Sequence, residues 1–385
     1  MDAGSLNENP LVRLGALGQS VWIDFIHRGM FGSGELRRLI DEDGIRGVTS
    51  NPSIFEKAIA GTHEYDEDIK VMASRGKSAG EIYDALTVKD VQMVADLFRG
   101  LYDRLQGKDG FVSLEVSPLL AHDTGGTVSE ARRLWKSIDR PNAFIKVPAT
   151  REGLSAITRL IGEGINVNVT LIFGLPRYRE VAEAYIGGLE VLAGKKKPLD
   201  RVASVASFFL SRIDALVDPI LEEKARAGGP EAARASGLHG QIACASAMVA
   251  YRMYKNIFAS QRFRKLVEKG ARRQRLLWAS TGTKDPAYSD VKYIESLIGP
   301  ETINTVPLET LNAYRDHGDP SRRLEEGVEK ANAAIELLPL LGIDLAKLTQ
   351  ELEDDGVAKF TAAFKRLMDT LIERRAKDIK EAVNF

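Results

Sequence analysis

The stretch Ala143-Phe144-Ile145-Lys146-Val147-Pro148 sets a lysine inside an otherwise apolar run. A run this short, with β-branched and aromatic residues and a proline at its end, reads as a buried strand. Side chains alternate across a strand, so Phe144, Lys146 and Pro148 face one way and Ala143, Ile145 and Val147 the other. The second set is apolar throughout. The first carries a charge, and a charge inside a doubly covered strand needs a partner or a task.

Seven runs of the same kind surround it: Val21–Ile26, Ile45–Ser50, Phe111–Val116, Val167–Phe173, Val202–Phe209, Leu276–Thr281 and Ile303–Leu308. Segments with helical periodicity, such as Leu154–Leu160 and Tyr178–Leu192, lie between them. Eight strand–helix repeats predict an α/β fold, a closed (β/α)8 TIM barrel with additional helices. An open doubly wound sheet is the alternative, but the chain has neither G-x-G-x-x-G after its first strand nor G-x-x-x-x-G-K-[ST].

No Pro/Gly/Ser-rich linker divides the chain, so one domain spanning 1–385 is expected. Asn9-Pro10 predicts a capped N-terminal helix over about 9–18, crossing the barrel bottom or edge. A helical segment is expected after the sixth strand, about 213–270, with the small-residue stretch Ala225–Gly237 as a connection. Further helices are expected over about 322–383.

The inward parity of the other strands repeats the question Lys146 poses. Asp24 shares a face with Trp22 and Ile26, Glu115 with Phe111 and Ser113, and Thr170 with Asn168 and Ile172. Each lies toward the C-terminal end of its strand, where barrel enzymes place their chemistry. A structural ion pair between Lys146 and Asp24 or Glu115 is the plain alternative. One amine, two carboxylates and a hydroxyl in one interior suit nucleophilic catalysis on a carbonyl. The amine must first lose its proton, which burial promotes and a neighbouring carboxylate opposes.

The bulk properties exclude several other classes. Lys plus Arg total 53 against 54 Asp plus Glu, so no global field exists to hold a nucleic acid or an anionic membrane, and neither is an expected partner. No apolar run reaches the length of a membrane span and no secretory signal opens the chain, so a cytoplasmic location is expected. Cys244 is the only cysteine; its apolar neighbours predict inert packing. His27, His63, His122, His239 and His317 form no H-x-x-x-H pair, which argues against a metal site, and no G-x-S-x-G elbow supplies a serine nucleophile.

Four segments in order, Gly47-Val48-Thr49-Ser50-Asn51-Pro52-Ser53-Ile54-Phe55, Phe144-Ile145-Lys146-Val147-Pro148, Gly164–Leu171 and Trp278–Pro286, resemble the signatures of the transaldolase family. The likeness extends from about Val21 to Thr310. It implies a cofactor-free transferase of carbohydrate metabolism, in the non-oxidative pentose phosphate pathway. Such an enzyme moves a dihydroxyacetone unit from sedoheptulose 7-phosphate or fructose 6-phosphate to glyceraldehyde 3-phosphate or erythrose 4-phosphate.

The resemblance further implies that Lys146 forms the Schiff base, Asp24 is the base and acid at the C4 hydroxyl, and Glu115 and Thr170 hold a relay water. Thr49, Asn51, Asn168 and Ser207 would bind hydroxyls, while Arg212 and the Ser280–Lys284 stretch would hold the phosphate. Lys284 stands where the best-known members carry a second arginine, and a point charge replaces a bidentate fork. Arg212 has an alternative use in pairing with Asp214 or Asp218.

Two rivals keep the same fold. A Schiff-base aldolase would release dihydroxyacetone to water; Phe209, a ring without a hydroxyl sharing the face of Ser207, leans toward transfer. A non-catalytic sugar-phosphate-binding barrel would keep Lys146 as an ordinary ammonium. A fused isomerase is not expected, because little chain follows the eighth unit. The amphipathic stretches Ala232–Phe263 and Leu345–Val383 suit either solvent or a second copy, so a monomer and a homodimer are both open.

Overall fold

The computed structural model describes residues 9–383. Eight parallel strands close into a barrel in sequence order: β1 Gln19–Ile23, β2 Gly47–Val48, β3 Phe111–Glu115, β4 Ala143–Pro148, β5 Val167–Ile172, β6 Ser204–Phe209, β7 Arg275–Ala279 and β8 Thr302–Val306. β8 closes on β1 from Gln19↔Thr302 to Ile23↔Val306. The fold is the expected (β/α)8 barrel, and the open sheet is excluded because no strand is left at an edge.

Register does the positioning. Glu115 sits beside Lys146, and Lys146 beside Asn168, so side chains on neighbouring strands stand level inside the barrel. Below them Trp22, Phe111 and Phe144 fill the interior, the last two stacked at 4.3 Å between centroids. Asp109 closes the N-terminal end, accepting from Ser20, from Trp22 Nε1 at 2.8 Å and from Arg275 at 3.2 Å. Everything reactive is therefore raised toward the C-terminal mouth.

Two departures from the expected strands have local causes. Ile45–Ser50 contributes only Gly47 and Val48 to the sheet, although Thr49 N still donates to Ile23 O at 2.9 Å. A Cβ on Gly47 would come within 2.4 Å of the Trp22 indole, so only glycine lets β2 lie against that ring. In β5 the pairing with β6 slips between Val169 and Ile172, and Leu171 adopts φ 60°. A bulge of this kind re-aims neighbouring side chains, here at the level of Thr170.

The helix Pro10–Ala16 is capped by Asn9, whose Oδ1 accepts from Leu11 N at 3.0 Å. Asn9 Nδ2 also donates to Asp43 in the loop before β2, which ties this helix to the N-terminal side of the barrel. The helix Leu345–Val383 runs the other way, across the mouth. Its Glu353 meets Arg177 of the helix after β5 at 2.8 Å, and Gly356 lets it approach Leu171. Arg366 then reaches Glu56 at 2.9 Å, and Arg374 donates to the carbonyls of Ile59 and Ala60 at 3.0 and 2.9 Å, all in the turn after β2. One long helix thus bridges opposite sides of the opening.

Candidate active site

A cavity of about 330 Å³ opens at the mouth, lined by Asp24, Thr49, Asn51, Lys146, Ser207, Phe209, Arg212, Ser280 and Lys284 among others. These include nine of the residues singled out in the sequence. Glu115, Asn168 and Thr170 lie alongside or beneath, fully buried.

Lys146 is 3% exposed. Its Nζ donates to Ser50 O at 3.0 Å and stands 3.8 Å from Glu115 Oε2, too far for a strong charge-assisted bond. Neither oxygen of Glu115 has a hydrogen-bond partner, and neither does Thr170 Oγ1. Burial pushes the Glu115 carboxyl up to about 7; Lys146 opposes that rise and Asp24 adds to it. An acid tuned this way exchanges protons near neutrality.

Asp24 begins one residue beyond β1, its N–H still donating to Val306 O at 2.8 Å. Burial raises its carboxyl above the usual range, against the pull of Lys146, a 2.6 Å bond from Thr49 Oγ1, and the charge of Lys284. The two acids therefore face one amine from different strands.

The hydroxyl and amide groups differ in how free they are. Thr49 Oγ1 is shared between Asp24 and Thr305 Oγ1. Asn51 Oδ1 accepts from Ile54 N at 3.0 Å, capping the helix Pro52–Phe55, so its Nδ2 is the end available to a ligand. Asn168 is held on both sides, donating to Ser113 Oγ at 3.0 Å and accepting from Ser207 Oγ at 2.7 Å. It supports the cavity from below.

At the far side Arg212 lies over the Phe209 ring at 5.8 Å, and its Nη1 is buried without an acceptor. The alternative pairing does not form. Asp214 is taken by Lys292 and Tyr293, each at 2.8 Å, and Asp218 by Tyr288 at 2.7 Å and Gly240 N at 2.8 Å. Arg212 is thus a partly buried cation facing a cavity, with no carboxylate among the described residues within ion-pair distance and Asp355 acting on it only from farther away. Ser280, at φ 53°, bonds Ser211 Oγ at 2.9 Å, at the first turn of the helix Ser211–Ala227 that carries Arg212.

Ser53, Ile54, Lys57, Thr305, Glu309 and Phe360 also line the cavity. Thr305 was open to the same strand-parity argument in β8. Lys57 follows Ser53 at helical spacing, whereas nothing local announces Phe360, which arrives on the C-terminal helix. Elsewhere, burial pushes the Cys244 thiol up to about 12, which suits inert packing. Each histidine meets a carboxylate, as His239 does Glu222 at 3.0 Å, and no cluster among the described residues is arranged to hold a metal.

The family model described as Transaldolase/Fructose-6-phosphate aldolase matches residues 21–371. The chain is 46% identical over 373 residues to "Transaldolase" of Trichodesmium erythraeum (strain IMS101), covering 96% of this chain and 98% of that one. It is 47% identical to "Transaldolase 1" of Streptomyces coelicolor, over 93% of each. "Transaldolase" of Saccharopolyspora erythraea is 46% identical, over 94% of this chain and 97% of its own.

Proposed function

Because the chain belongs to the transaldolase/fructose-6-phosphate aldolase family, we propose that Lys146 is the amine that carries a dihydroxyacetone unit between phosphorylated sugars. Its reaction class is that of its relatives, a transaldolase, and so a transferase. The observation that supports Lys146 is its buried amine, 3.8 Å from the Glu115 carboxyl and lining one cavity with Asp24, whose carboxyl feels its charge.

In this reading the Lys146 amine attacks the C2 carbonyl of fructose 6-phosphate or sedoheptulose 7-phosphate. Glu115 delivers a proton to the departing hydroxyl by way of a water shared with Thr170, and water leaves as the imine forms. Asp24 takes the proton of the C4 hydroxyl, the C3–C4 bond breaks, and its electrons move into the imine. The aldose phosphate leaves. The retained enamine attacks the aldehyde of the acceptor, Asp24 returns the proton to the new C4 oxygen, and hydrolysis frees Lys146.

Thr49, Asn51 and Ser207 are the groups placed to meet substrate hydroxyls, and Asn168 acts through Ser207. Arg212, Ser280 and Lys284 receive the phosphate, Arg212 being the one whose buried donor has no acceptor of its own. Phe209 and Phe360 present apolar surface to the cavity, which limits protonation of the enamine and favours transfer over release.

Borohydride added with fructose 6-phosphate is expected to leave a mass adduct on Lys146. In a separate incubation without borohydride, fructose 6-phosphate and erythrose 4-phosphate together should form a seven-carbon ketose phosphate. Absence of the adduct at saturating ketose would overturn the role of Lys146. Release of free dihydroxyacetone with no need for an acceptor would instead favour the aldolase reading.

A further inference from the structure

Lys57 was not among the residues the sequence pointed to. It lies on the π-helical turn Glu56–Ala60, and lines the cavity together with Ser53 and Ile54. Those spacings place all three on one face of a helical turn. The turn is held from behind: Arg366 binds Glu56 at 2.9 Å, while Arg374 donates to the carbonyls of Ile59 and Ala60 and to Asp66 at 2.9 Å. The backbone of Lys57 is thereby fixed at the rim, and its side chain is exposed.

Among the described residues no carboxylate lies within ion-pair distance of Lys57, Arg212 or Lys284. Several other exposed cations are paired, such as Lys77 with Glu81 and Lys255 with Glu325. Against Lys57, Lys146, Arg212 and Lys284 the lining carries two carboxyl groups, Asp24 beside Lys146 and Glu309 in the first turn of the helix Leu308–His317. A chain of net charge −1 has therefore gathered a local positive excess at one opening.

We propose that Lys57 is a specificity-determining residue that draws the phosphate of the sugar substrate into the cavity, across the mouth from Arg212 and Lys284. Glu309 is the opposing rim charge that moderates it. The inference rests on the sugar-phosphate reading above. Lysine is a compact charge on a flexible stem, suited to capturing a dianion that the planar Arg212 fork then orients. Its exposure makes the effect sensitive to salt.

The test uses the full chain and the variants Lys57→Met, Lys57→Arg and Glu309→Gln. Half-saturating ketose is read from the borohydride adduct on Lys146, with fructose 6-phosphate and with uncharged dihydroxyacetone. Calorimetric binding of inorganic phosphate runs in parallel and needs no imine. At low ionic strength Lys57→Met should weaken fructose 6-phosphate and phosphate roughly fivefold, the equivalent of about 1 kcal/mol. It should leave dihydroxyacetone unchanged. Lys57→Arg should restore binding, Glu309→Gln should strengthen it, and about 1 M salt should erase all three differences. Equal weakening of dihydroxyacetone, or unchanged phosphate affinity in Lys57→Met, would overturn the proposal. Loss of the adduct in the parent chain would count against the role of Lys146 alone, because the phosphate arm still decides that of Lys57.

Discussion

Glu115 Oε2 stands 3.8 Å from Lys146 Nζ, on the adjoining strand and in register with it, and neither oxygen of that carboxyl has a hydrogen-bond partner. The pair is close enough to interact and too far apart to satisfy itself. Closing the gap to bonding distance would fix the proton on one partner. The barrel instead holds an acid whose burial pushes it up to about 7.

That rise makes Glu115 a pH-dependent burden on the fold. Below about 4.5 the carboxyl is protonated in both states and contributes no pH dependence. Between 4.5 and about 7 the unfolded chain releases the proton while the native chain keeps it, so stability falls as pH rises. The loss is complete above about 7 and amounts to about 3 kcal/mol. Glu115→Gln should therefore raise Tm at pH 8 and leave it unchanged near pH 4. In the parent chain the rate of imine formation should fall above pH 7 as the neutral acid disappears, and the glutamine variant should lose that inflection. Parallel Tm profiles for the two proteins would refute the assignment.

Asp24 belongs to a later step, and kinetics can separate the two acids. Asp24→Asn keeps a side chain of similar shape beside Thr49 but cannot take the C4 proton. Borohydride trapping with fructose 6-phosphate should survive, while turnover falls about 10²- to 10⁴-fold, the usual worth of a positioned base. A variant that neither traps nor turns over would show that Asp24 acts before bond cleavage.

Much of this geometry is legible in the chain because strand parity is a strict rule. Trp22, Phe111, Phe144 and Lys146 point inward for the same reason, and an eightfold repeat leaves few topologies to choose from. Legibility ends where tertiary contact replaces local pattern. The bulge at Leu171, the shortness of β2 beneath Trp22, and the arrival of Phe360 on a distant helix all depend on neighbours remote in sequence. Even Arg212 could not be separated from Asp214 and Asp218 until Lys292 and Tyr288 were seen to occupy those acids.

The C-terminal helix offers a test of how the mouth is held. Arg177 binds Glu353 through two bonds of 2.8 and 3.2 Å, and burial raises the Glu353 carboxyl against the pull of that arginine. Arg177→Met strands a buried acid and should cost about 3 to 5 kcal/mol at neutral pH. The double variant Arg177→Met with Glu353→Leu removes both charges and should recover most of that loss. Chemical denaturation of the two proteins measures the difference. Equal destabilisation would mean that the pair contributes through shape alone.

Arg212 should show the opposite exchange between stability and use. Burial holds its guanidinium below the ordinary arginine value, Asp355 only partly compensates, and Nη1 has no acceptor. A partly buried cation without a partner destabilises the free protein and becomes favourable when a dianion arrives. Arg212→Met should therefore raise Tm without ligand, abolish the stabilisation that inorganic phosphate gives the parent, and raise KM for fructose 6-phosphate by about tenfold or more. Asp214 and Asp218 already have their own donors, so the substitution frees no acid to compensate. If Tm falls instead, the guanidinium is stabilising the mouth by packing over Phe209, and the phosphate would have to be held by Lys284 and its neighbours.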